Sequence, residues 1–252
     1  MSKLLVGETI SKAFGSGDER RNVLDGLSME IADGEFVAVM GASGSGKSTL
    51  LYALSGMDKI DAGRVLFEGQ ELSALSDNDL SDLRRKKMGF VFQQPTLLKN
   101  LNILDNILLP QMRDHRRDLE TLTVKARALM RQVGIEDLER RDITQVSGGQ
   151  LQRAGVCRAL MSSPKILFAD EPTGALNSKS SDEIMALFSE IVRWRLSAAV
   201  MWQSRMPFFL QETVRRSISF TEETIFVLRN PYRKHCGLFP MWKFCGIRLQ
   251  RK

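Results

Sequence analysis

The residues with the clearest chemical potential lie in one glycine-rich run, Gly41-Ala42-Ser43-Gly44-Ser45-Gly46-Lys47-Ser48. The run fits the pattern G-x-x-x-x-G-K-[ST], in which backbone N–H groups of a turn at a helix N-terminus converge on phosphate. The glycines allow positive φ values and a close approach of the backbone to the ligand. In this pattern the ammonium of Lys47 neutralises the β- and γ-phosphates, and the hydroxyl of Ser48 binds Mg²⁺. The run therefore predicts a nucleoside triphosphate site.

A second distinctive pair is Asp170 and Glu171, which follow the apolar run Ile166-Leu167-Phe168-Ala169. The run is typical of a buried strand, and removing two carboxylates from water at its end costs free energy. A plain solvated strand end is the structural alternative. Beside a phosphate loop, Asp170 is expected to hold Mg²⁺, usually through water, and Glu171 is expected to be the catalytic residue that polarises the attacking water.

A third motif, Ser147-Gly148-Gly149-Gln150, precedes a helical pattern over residues 151–161. A turn of this kind at a helix N-terminus predicts a second anion site. The alternative is a turn that resembles a helix C-cap and binds nothing.

Both predicted phosphate contacts depend on the elements around them. An apolar strand over residues 36–40 runs into the glycine-rich loop, and a helix over residues 49–54 leaves it. Turns at Asp33-Gly34 and Asp61-Ala62-Gly63 predict antiparallel hairpins among the early strands. Helical patterns separate the later strands and predict a parallel sheet. The predicted fold is α/β, a P-loop NTPase core with an antiparallel β subdomain and a helical subdomain at about residues 95–150.

The charge of the chain is unevenly distributed. Its 252 residues include 36 Lys and Arg against 30 Asp and Glu, a formal net charge of +6. Residues 193–252 alone hold 12 basic and 3 acidic residues, all three Trp and no Asp, so residues 1–192 are slightly acidic. The basic balance therefore describes the end of the chain. We expect a nucleotide-binding domain over 1–192 and an atypical basic, aromatic-rich tail over 193–252.

The bulk composition excludes several classes of protein. The three Cys form no C-x-x-C pair, so neither a disulfide framework nor a structural zinc site is expected. No run approaches the ~20 apolar residues of a spanning helix, and the first residues lack the apolar stretch of a signal peptide. We expect a cytoplasmic chain that needs a separate partner for any work at a membrane.

Together, the motifs resemble those of the ATP-binding cassette ATPases of ABC transporters. The glycine-rich run, Phe92-Gln93-Gln94-Pro95, Val146-Ser147-Gly148-Gly149-Gln150 and the strand ending at Asp170-Glu171 occur in that family's order and spacing within about residues 2–192. Val146 stands where the family more often has Leu. The resemblance implies an ATPase subunit that couples the binding and hydrolysis of ATP, with Mg²⁺, to a separate membrane permease.

The resemblance also implies roles for single residues. Phe14 matches an aromatic residue that stacks on adenine; a Phe on the buried face of the first hairpin is the alternative. Gln93 matches a glutamine that senses Mg²⁺ and faces the membrane partner; an ordinary loop amide is the alternative. Two copies are expected to stack head to tail as an ATP-dependent dimer, so that the turn at Ser147 of one copy covers the γ-phosphate held by the other.

The complete set of predicted site residues follows from these motifs. The nucleotide-binding residues are Phe14, Gly41, Ala42, Ser43, Gly44, Ser45, Gly46, Lys47, Ser48, Thr49 and Gln93. The Mg²⁺ contacts are Ser48, Gln93 and Asp170, the catalytic residue is Glu171, and the signature residues are Ser147, Gly148, Gly149 and Gln150.

Two longer runs, Met88 to Gln94 and Asp170 to Leu176, look like the subgroup that contains lipoprotein-release, macrolide-export and antimicrobial-peptide-export ATPases. That subgroup implies a separately encoded permease, a peripheral position on the inner face of the cell membrane, and export of peptide, drug or lipoprotein-type cargo. A soluble cassette ATPase linked to nucleic acid would need two cassettes or a coiled-coil insertion. We see neither, and no nucleic-acid partner is expected.

Two positions depart from the family pattern. Asn177 stands where Asp is usual, which keeps the shape of a loop at the dimer interface and loses its charge. A histidine that contacts the γ-phosphate is expected on a strand after Glu171, but the candidate strand over residues 198–201 continues Trp202-Gln203-Ser204-Arg205. His115 lies in a charged run and His235 lies too late in the chain. The alternative function is therefore a nucleotide-binding protein that is deficient in hydrolysis.

The resemblance fades from residue 193, where the composition changes. One hypothesis is that residues 193–252 arose by a reading-frame change or gene erosion. The other is a genuine appended segment, whose interleaved cations and aromatic side chains would touch anionic lipid or nucleic acid. A search of the other two reading frames beyond codon 192 for a Thr-His-Asp-like sequence separates the two.

Overall fold

A computed structural model describes residues 2–112, 119–195, 198–203, 224–231 and 243–248. The strands are β1 (Lys3–Phe14), β2 (Arg21–Ala32), β3 (Glu35–Met40), β4 (Ala62–Phe67), β5 (Gln70–Glu71), β6 (Met88–Val91), β7 (Ile166–Asp170), β8 (Ala198–Gln203), β9 (Thr224–Pro231) and β10 (Lys243–Arg248). The α-helices are α1 (Lys47–Leu54), α2 (Asp77–Lys87), α3 (Ile103–Met112), α4 (Leu119–Gln132), α5 (Gly148–Leu160) and α6 (Ser178–Arg195).

The central element of the fold is a six-stranded sheet with the order β10-β9-β3-β8-β7-β6. β3, β8, β7 and β6 pair in parallel, while β9 runs antiparallel to β3. Every residue of β3 is buried, as expected of a parallel strand with both faces covered. The carboxyl ends of β3 and β7 therefore meet at one edge of the sheet, and the predicted parallel sheet is confirmed.

A second, four-stranded sheet has the order β2-β1-β4-β5 and is antiparallel throughout. This sheet is the predicted antiparallel subdomain. Two details of that prediction are wrong. The run Asp61-Ala62-Gly63 is not a hairpin turn, because Ala62 and Gly63 begin β4 and the element before them is α1. The turn at Asp33-Gly34 does not close a hairpin either. Its flanking strands belong to different sheets, since β2 pairs with β1 and β3 pairs with β8 and β9. The turn instead carries the chain from one sheet to the other.

Two clusters of buried side chains lie on the two faces of β3. Phe36, Ala38 and Met40 belong to the cluster that includes residues of α3, α4, α5 and α6. Val37 and Val39 belong to the cluster shared with α1 and the antiparallel sheet. This alternation is the two-residue period of a strand buried on both sides, and it fixes the end of β3 between two packed layers.

The end of the chain contributes more of the sheet than the sequence suggested. Its closing strands could not be recognised from the sequence, yet β9 and β10 pair beside β3. The last described helix before these strands, α6, covers Ser178–Arg195. The division of the chain at residue 192 therefore falls inside a helix, and it stays a prediction. Within the described residues, no helix has the length and apolar character needed to cross a bilayer.

Candidate functional site

The glycine-rich loop connects β3 to α1 with the backbone geometry that the motif requires. Gly44 and Gly46 adopt φ values of 78° and 87°, which disfavour any side chain. A Cβ at Gly46 would lie 2.9 Å from Cγ1 of Val23, whereas one at Gly44 would meet nothing within 4 Å. Gly46 is thus needed for packing as well as conformation, and the backbone at Gly44 borders open space.

Lys47, at the first turn of α1, is folded over this loop. Its Nζ donates to the carbonyl oxygens of Gly41 at 2.9 Å and of Ala42 at 2.7 Å. Burial lowers the pKa of Lys47, while the nearby carboxylates of Glu171 and Asp170 act in the opposite direction. The two carbonyl oxygens fix the position of the buried ammonium, where it could bind an anion next to the loop.

Ser48, in the first turn of α1, lies next to Asp170, the last residue of β7. The Ser48 hydroxyl donates to Oδ1 of Asp170 at 3.2 Å across 122 residues of sequence. Burial is the main cause that raises the pKa of Asp170, and the charge of Glu171 adds to it, whereas Ser48 and Lys47 oppose the rise. The pair presents hydroxyl and carboxylate oxygens, the donor atoms that Mg²⁺ prefers.

Glu171 directly follows β7 and has the left-handed φ of 44°, which is unusual for a residue with a side chain. A Cβ at Gly174 would lie 2.8 Å from Nε2 of Gln93 and 3.2 Å from Oε2 of Glu171. The missing side chain at Gly174 therefore lets Gln93 and Glu171 approach the same point. Backbone strain of this kind is often found at functional positions.

These groups surround a cleft of about 530 Å³. Its lining consists of Phe14, Val23, Ser43, Gly44, Gly46, Lys47, Ser48, Thr49, Gln93, Asp170 and Glu171. Of the predicted nucleotide-binding residues, Gly41, Ala42 and Ser45 are not among the lining residues, although they belong to the same loop. Phe14 is 49% exposed at the cleft, so it does not occupy the buried face of a hairpin.

Two residues in or beside the cleft are absent from the predicted set of site residues. Val23 lines the cleft from β2, and Nζ of Lys12 lies 5.2 Å from the centroid of the Phe14 ring. Lys12 is held there by Oδ1 of Asp58 at 3.0 Å and by the carbonyl oxygen of Lys59 at 2.6 Å. No sequence motif includes either residue. Val23 lies in β2 and Lys12 in β1, and the pairing of these two strands brings both residues to the cleft.

The cleft fits a nucleoside triphosphate with Mg²⁺. The Ser45 hydroxyl oxygen is buried without a hydrogen-bond partner, which is costly unless a ligand or water satisfies it. Within the described ranges, no group of three or more His, Cys, Asp or Glu side chains could hold a metal ion. A cation beside Ser48 and Asp170 would take its other ligands from phosphate and water, which is the usual coordination of Mg²⁺ in such sites.

The motif at Ser147 forms a second helix N-terminus, and it lies outside the cleft lining. Ser147 is the N-cap of α5: its Oγ accepts from the Gln150 N–H at 3.3 Å, and Oε1 of Gln150 accepts from the Ser147 N–H at 2.8 Å. This reciprocal pair is a capping box. The alternative of a C-cap-like turn is therefore wrong, and Ser147 and Gly148 are exposed.

The two departures from the family pattern have different structural consequences. Oδ1 of Asn177 accepts from the Ser180 N–H at 2.9 Å at the start of α6, a role in which Asn and Asp are equivalent. β8 lies between β3 and β7, as the histidine strand should, and Gln203 at its end pairs with Met40. No histidine occurs in β8, and His115 and His235 lie outside the described residues.

Comparisons with known proteins agree with this arrangement. The model of the ABC transporter family matches residues 24–174. The macrolide export ATP-binding/permease protein MacB of Vibrio parahaemolyticus is 44% identical over 191 residues, which is 75% of this chain and 29% of that protein. The chain therefore spans less than a third of that relative. The bacitracin export ATP-binding protein BceA of Halalkalibacterium halodurans is 38% identical over 75% of this chain and 74% of its own length.

Two further matches extend the comparison. The lipoprotein-releasing system ATP-binding protein LolD of Bdellovibrio bacteriovorus is 42% identical over 71% of this chain and 81% of its own length. Among solved structures, a dimeric ATP-binding cassette in a post-hydrolysis state with bound ADP and phosphate superposes with a TM-score of 0.73. It is 34% identical and covers 80% of this chain and 88% of its own.

The sheet order and the phosphate-binding cleft define a P-loop ATP-binding cassette. The chain belongs to the ABC transporter family, and its relatives are ATP-binding proteins of macrolide, bacitracin and lipoprotein-releasing systems. The predicted family, subgroup and fold class are confirmed.

Proposed function

We propose that this chain is the ATP-binding subunit of an export transporter, in which ATP binding and hydrolysis drive a separate membrane permease. The observation that carries the proposal is the cleft, where the glycine-rich loop, the Ser48–Asp170 pair and Glu171 meet. The named relatives support cargo of the peptide, drug or lipoprotein type. The chain would act in the cytoplasm, as a peripheral protein on the inner face of the cell membrane, without a nucleic-acid partner.

Each predicted site residue has a part in this proposal. The backbone N–H groups of the loop and the Lys47 ammonium bind the phosphates, and Thr49 lines the same end of the cleft. Ser48 and Asp170 hold Mg²⁺, with Gln93 as a further contact, and this ion would neutralise charge that develops on the phosphates. Glu171 accepts a hydrogen bond from the attacking water and orients it. Phe14 stacks on adenine.

The proposed active form is a head-to-tail dimer. The turn at Ser147 is exposed at a helix N-terminus, where it can meet an anion presented by another molecule. The dimeric cassette among the related structures supports this arrangement. Gly148 and Gly149 would then face the γ-phosphate bound by the partner copy, which explains why one chain carries two anion-binding turns.

The second candidate function is ATP binding without efficient hydrolysis. The specific observation behind it is β8, which occupies the position of the histidine strand without a histidine. The family match and the export ATP-binding proteins among the relatives favour the hydrolysing function. The two candidates differ in one measurable step, the release of phosphate from bound ATP.

Binding and hydrolysis are therefore measured separately on the full chain, with a fluorescent ATP analogue and a phosphate-release assay. Lys47→Ala should abolish analogue binding. Glu171→Gln should retain binding, lower hydrolysis by about 100-fold or more, and trap an ATP-dependent dimer in size-exclusion chromatography. Glu136→Gln, at an exposed position outside the cleft, is the matched control and should behave as wild type.

The outcomes separate the candidates. Wild-type phosphate release that is lost in Glu171→Gln supports the ATPase. Tight analogue binding with no release above the Glu171→Gln level identifies the hydrolysis-deficient protein. Failure of the wild type to bind the analogue at all would contradict both.

A further inference from the structure

One face of α5 contacts the segment that carries Gln93. Gln152, Gly155 and Arg158 are spaced three residues apart, so they form a stripe along the helix. All three lie against residues 92–96, the connection that follows β6. The stripe begins one turn after Ser147, on the helix whose N-terminus carries the signature motif.

The polar members of this stripe hold the two ends of the segment. Nε2 of Gln152, which is 1% exposed, donates to the carbonyl oxygen of Phe92 at 3.0 Å. The Arg158 guanidinium donates to the carbonyl oxygen of Thr96 at 2.6 Å and to its Oγ1 at 3.1 Å. These bonds bracket Gln93, which lies between the two anchored residues.

Gly155 lies between the two polar residues and faces the middle of the segment. A Cβ at this position would lie 3.5 Å from Cβ of Pro95, in ordinary van der Waals contact. The segment is therefore hydrogen-bonded to α5 at both ends, and Pro95 at its centre lies next to Gly155. Because these hydrogen bonds join both ends of the segment to one helix, a displacement of α5 is expected to move the segment with it.

We propose that Gln152 and Arg158 are positioning residues for Gln93, and that α5 couples the signature turn at Ser147 to the Mg²⁺ contact at Gln93. The inference rests on the proposed function, in which Gln93 approaches the metal ion beside Ser48 and Asp170. Neither side chain touches the cleft lining, so both act through the segment they hold. An anion bound at the N-terminus of α5 would thereby be sensed at the metal site of the same chain.

The chain offers a matched control on the same helix. Arg153 also donates to a backbone carbonyl and to a second oxygen, but it reaches Val133 at 2.6 Å and Glu183 at 2.8 Å. These partners lie beside α4 and in α6. Arg153→Lys therefore removes a comparable bidentate contact of α5 without touching residues 92–96.

Two measurements compare wild type with the variants Arg158→Lys, Gln152→Leu and Arg153→Lys. The first is amide hydrogen exchange, and the second is the binding of a fluorescent ATP analogue at increasing Mg²⁺ concentration. Arg158→Lys and Gln152→Leu should increase amide exchange over residues 92–97 and raise the half-saturating Mg²⁺ concentration about tenfold, because groups that orient a metal ligand have effects of this size. Arg153→Lys should leave both values unchanged. Thr96→Val, a milder variant that removes only Oγ1, should shift both values in the same direction.

An unchanged Mg²⁺ dependence in Arg158→Lys and Gln152→Leu, with increased exchange over residues 92–97, would overturn the proposal and leave a merely structural contact. An equal shift in Arg153→Lys would also overturn it, since any loosening of α5 would then suffice. If the wild type binds no analogue, the proposed function fails. The exchange of residues 92–97 then still decides whether Gln152 and Arg158 fix the segment, and unchanged exchange refutes the inference independently.

Discussion

Two glycine-containing turns in this molecule lead into helices, and their surroundings differ sharply. The loop before α1 lies at a cleft beside the buried Lys47, the half-buried Asp170 and the unpartnered hydroxyl of Ser45. The turn before α5 is exposed and satisfies its own backbone through the Ser147–Gln150 capping box. The first turn lies at a cleft within one chain, whereas in the proposed dimer the second is a surface that a partner copy meets.

The two turns therefore affect the stability of the ligand-free protein in different ways. At the cleft, burial lowers the pKa of Lys47 and raises the pKa of Asp170, so both charged forms are disfavoured in the ligand-free protein. At the signature turn, the cap stabilises α5 whether or not an anion is present. A substitution at the cleft should therefore change function and stability in different directions. A substitution at the signature turn can keep the helix cap and still impair dimer formation.

The largest effect that sharpens this comparison is expected for Asp170→Asn. Asn keeps an oxygen that accepts from the Ser48 hydroxyl and removes the carboxylate that Mg²⁺ needs. ATP hydrolysis should fall by about 100-fold, the upper end of what loss of metal-orienting groups costs. The ligand-free variant should nevertheless unfold at a higher denaturant concentration than wild type at neutral pH, because a desolvated charge is gone.

The pH dependence of that stability difference follows from the raised pKa of Asp170. An acid whose pKa is raised by folding stabilises the protein while it is protonated, and that contribution is lost as the pH rises through the folded-state pKa. The stability advantage of Asp170→Asn should thus grow as the pH rises through that pKa and then level off. Denaturant unfolding of both proteins between acid and neutral pH checks this. A constant difference would show that burial of the Asp170 charge is not its cause.

Much of this site was predictable from sequence because each motif encodes its own local geometry. Glycines at positions 44 and 46, the lysine after them and the carboxylates that end β7 specify a strand, a turn and a helix start together. The crossing at Asp33-Gly34 was not predictable in this way, since a hairpin turn and a link between two sheets have the same local composition. The sheet that each strand joins is decided by long-range pairing.

A smaller effect is expected for Ser147→Asp, which tests whether the signature turn is more than a cap. Asp is as good an N-cap as Ser, so the stability of α5 should be retained. Its negative charge would repel the phosphate of a partner copy, because like charges at an interface disfavour association. Hydrolysis and the ATP-dependent dimer should therefore fall by about tenfold or more, while analogue binding to the monomer is unchanged.

The matched control for this variant is Ser147→Thr, which keeps both the cap and the neutral hydroxyl. It should form the dimer normally in size-exclusion chromatography with ATP in the Glu171→Gln background. If Ser147→Asp formed the dimer as well as wild type, the turn would be only a helix cap. The proposed contact of the signature turn with a partner copy would then be wrong.

The contact between α5 and residues 92–96 illustrates a second limit of the sequence. Gln152 and Arg158 lie beyond the signature motif and have no spacing that links them to Gln93, 59 and 65 positions earlier. Both donate to backbone carbonyl oxygens, those of Phe92 and Thr96. Every residue has a backbone carbonyl, so the residue type does not indicate such a contact. Contacts of this kind become visible only when β6 and α5 are packed together.

The smallest expected effect concerns the adenine end of the cleft. Phe14→Ala should weaken ATP binding about three- to tenfold, since an aromatic stacking contact contributes about 0.5–1.5 kcal/mol. Phe14→Tyr should bind like wild type. The maximal rate of hydrolysis should not change in either variant, because Phe14 lies at the end of the cleft away from Asp170 and Glu171 in its proposed role.

Tripolyphosphate provides the decisive comparison for Phe14, because it carries the phosphates of ATP without a base. Competition of tripolyphosphate against the fluorescent analogue gives its affinity, which should be equal in wild type and Phe14→Ala. An equal loss for ATP and tripolyphosphate would mean that Phe14, with Lys12 packed against its ring, supports the glycine-rich loop instead of binding adenine. In that case, only the proposed phosphate contacts would distinguish the cleft, which one chain forms, from the signature turn, which is proposed to act on a partner copy.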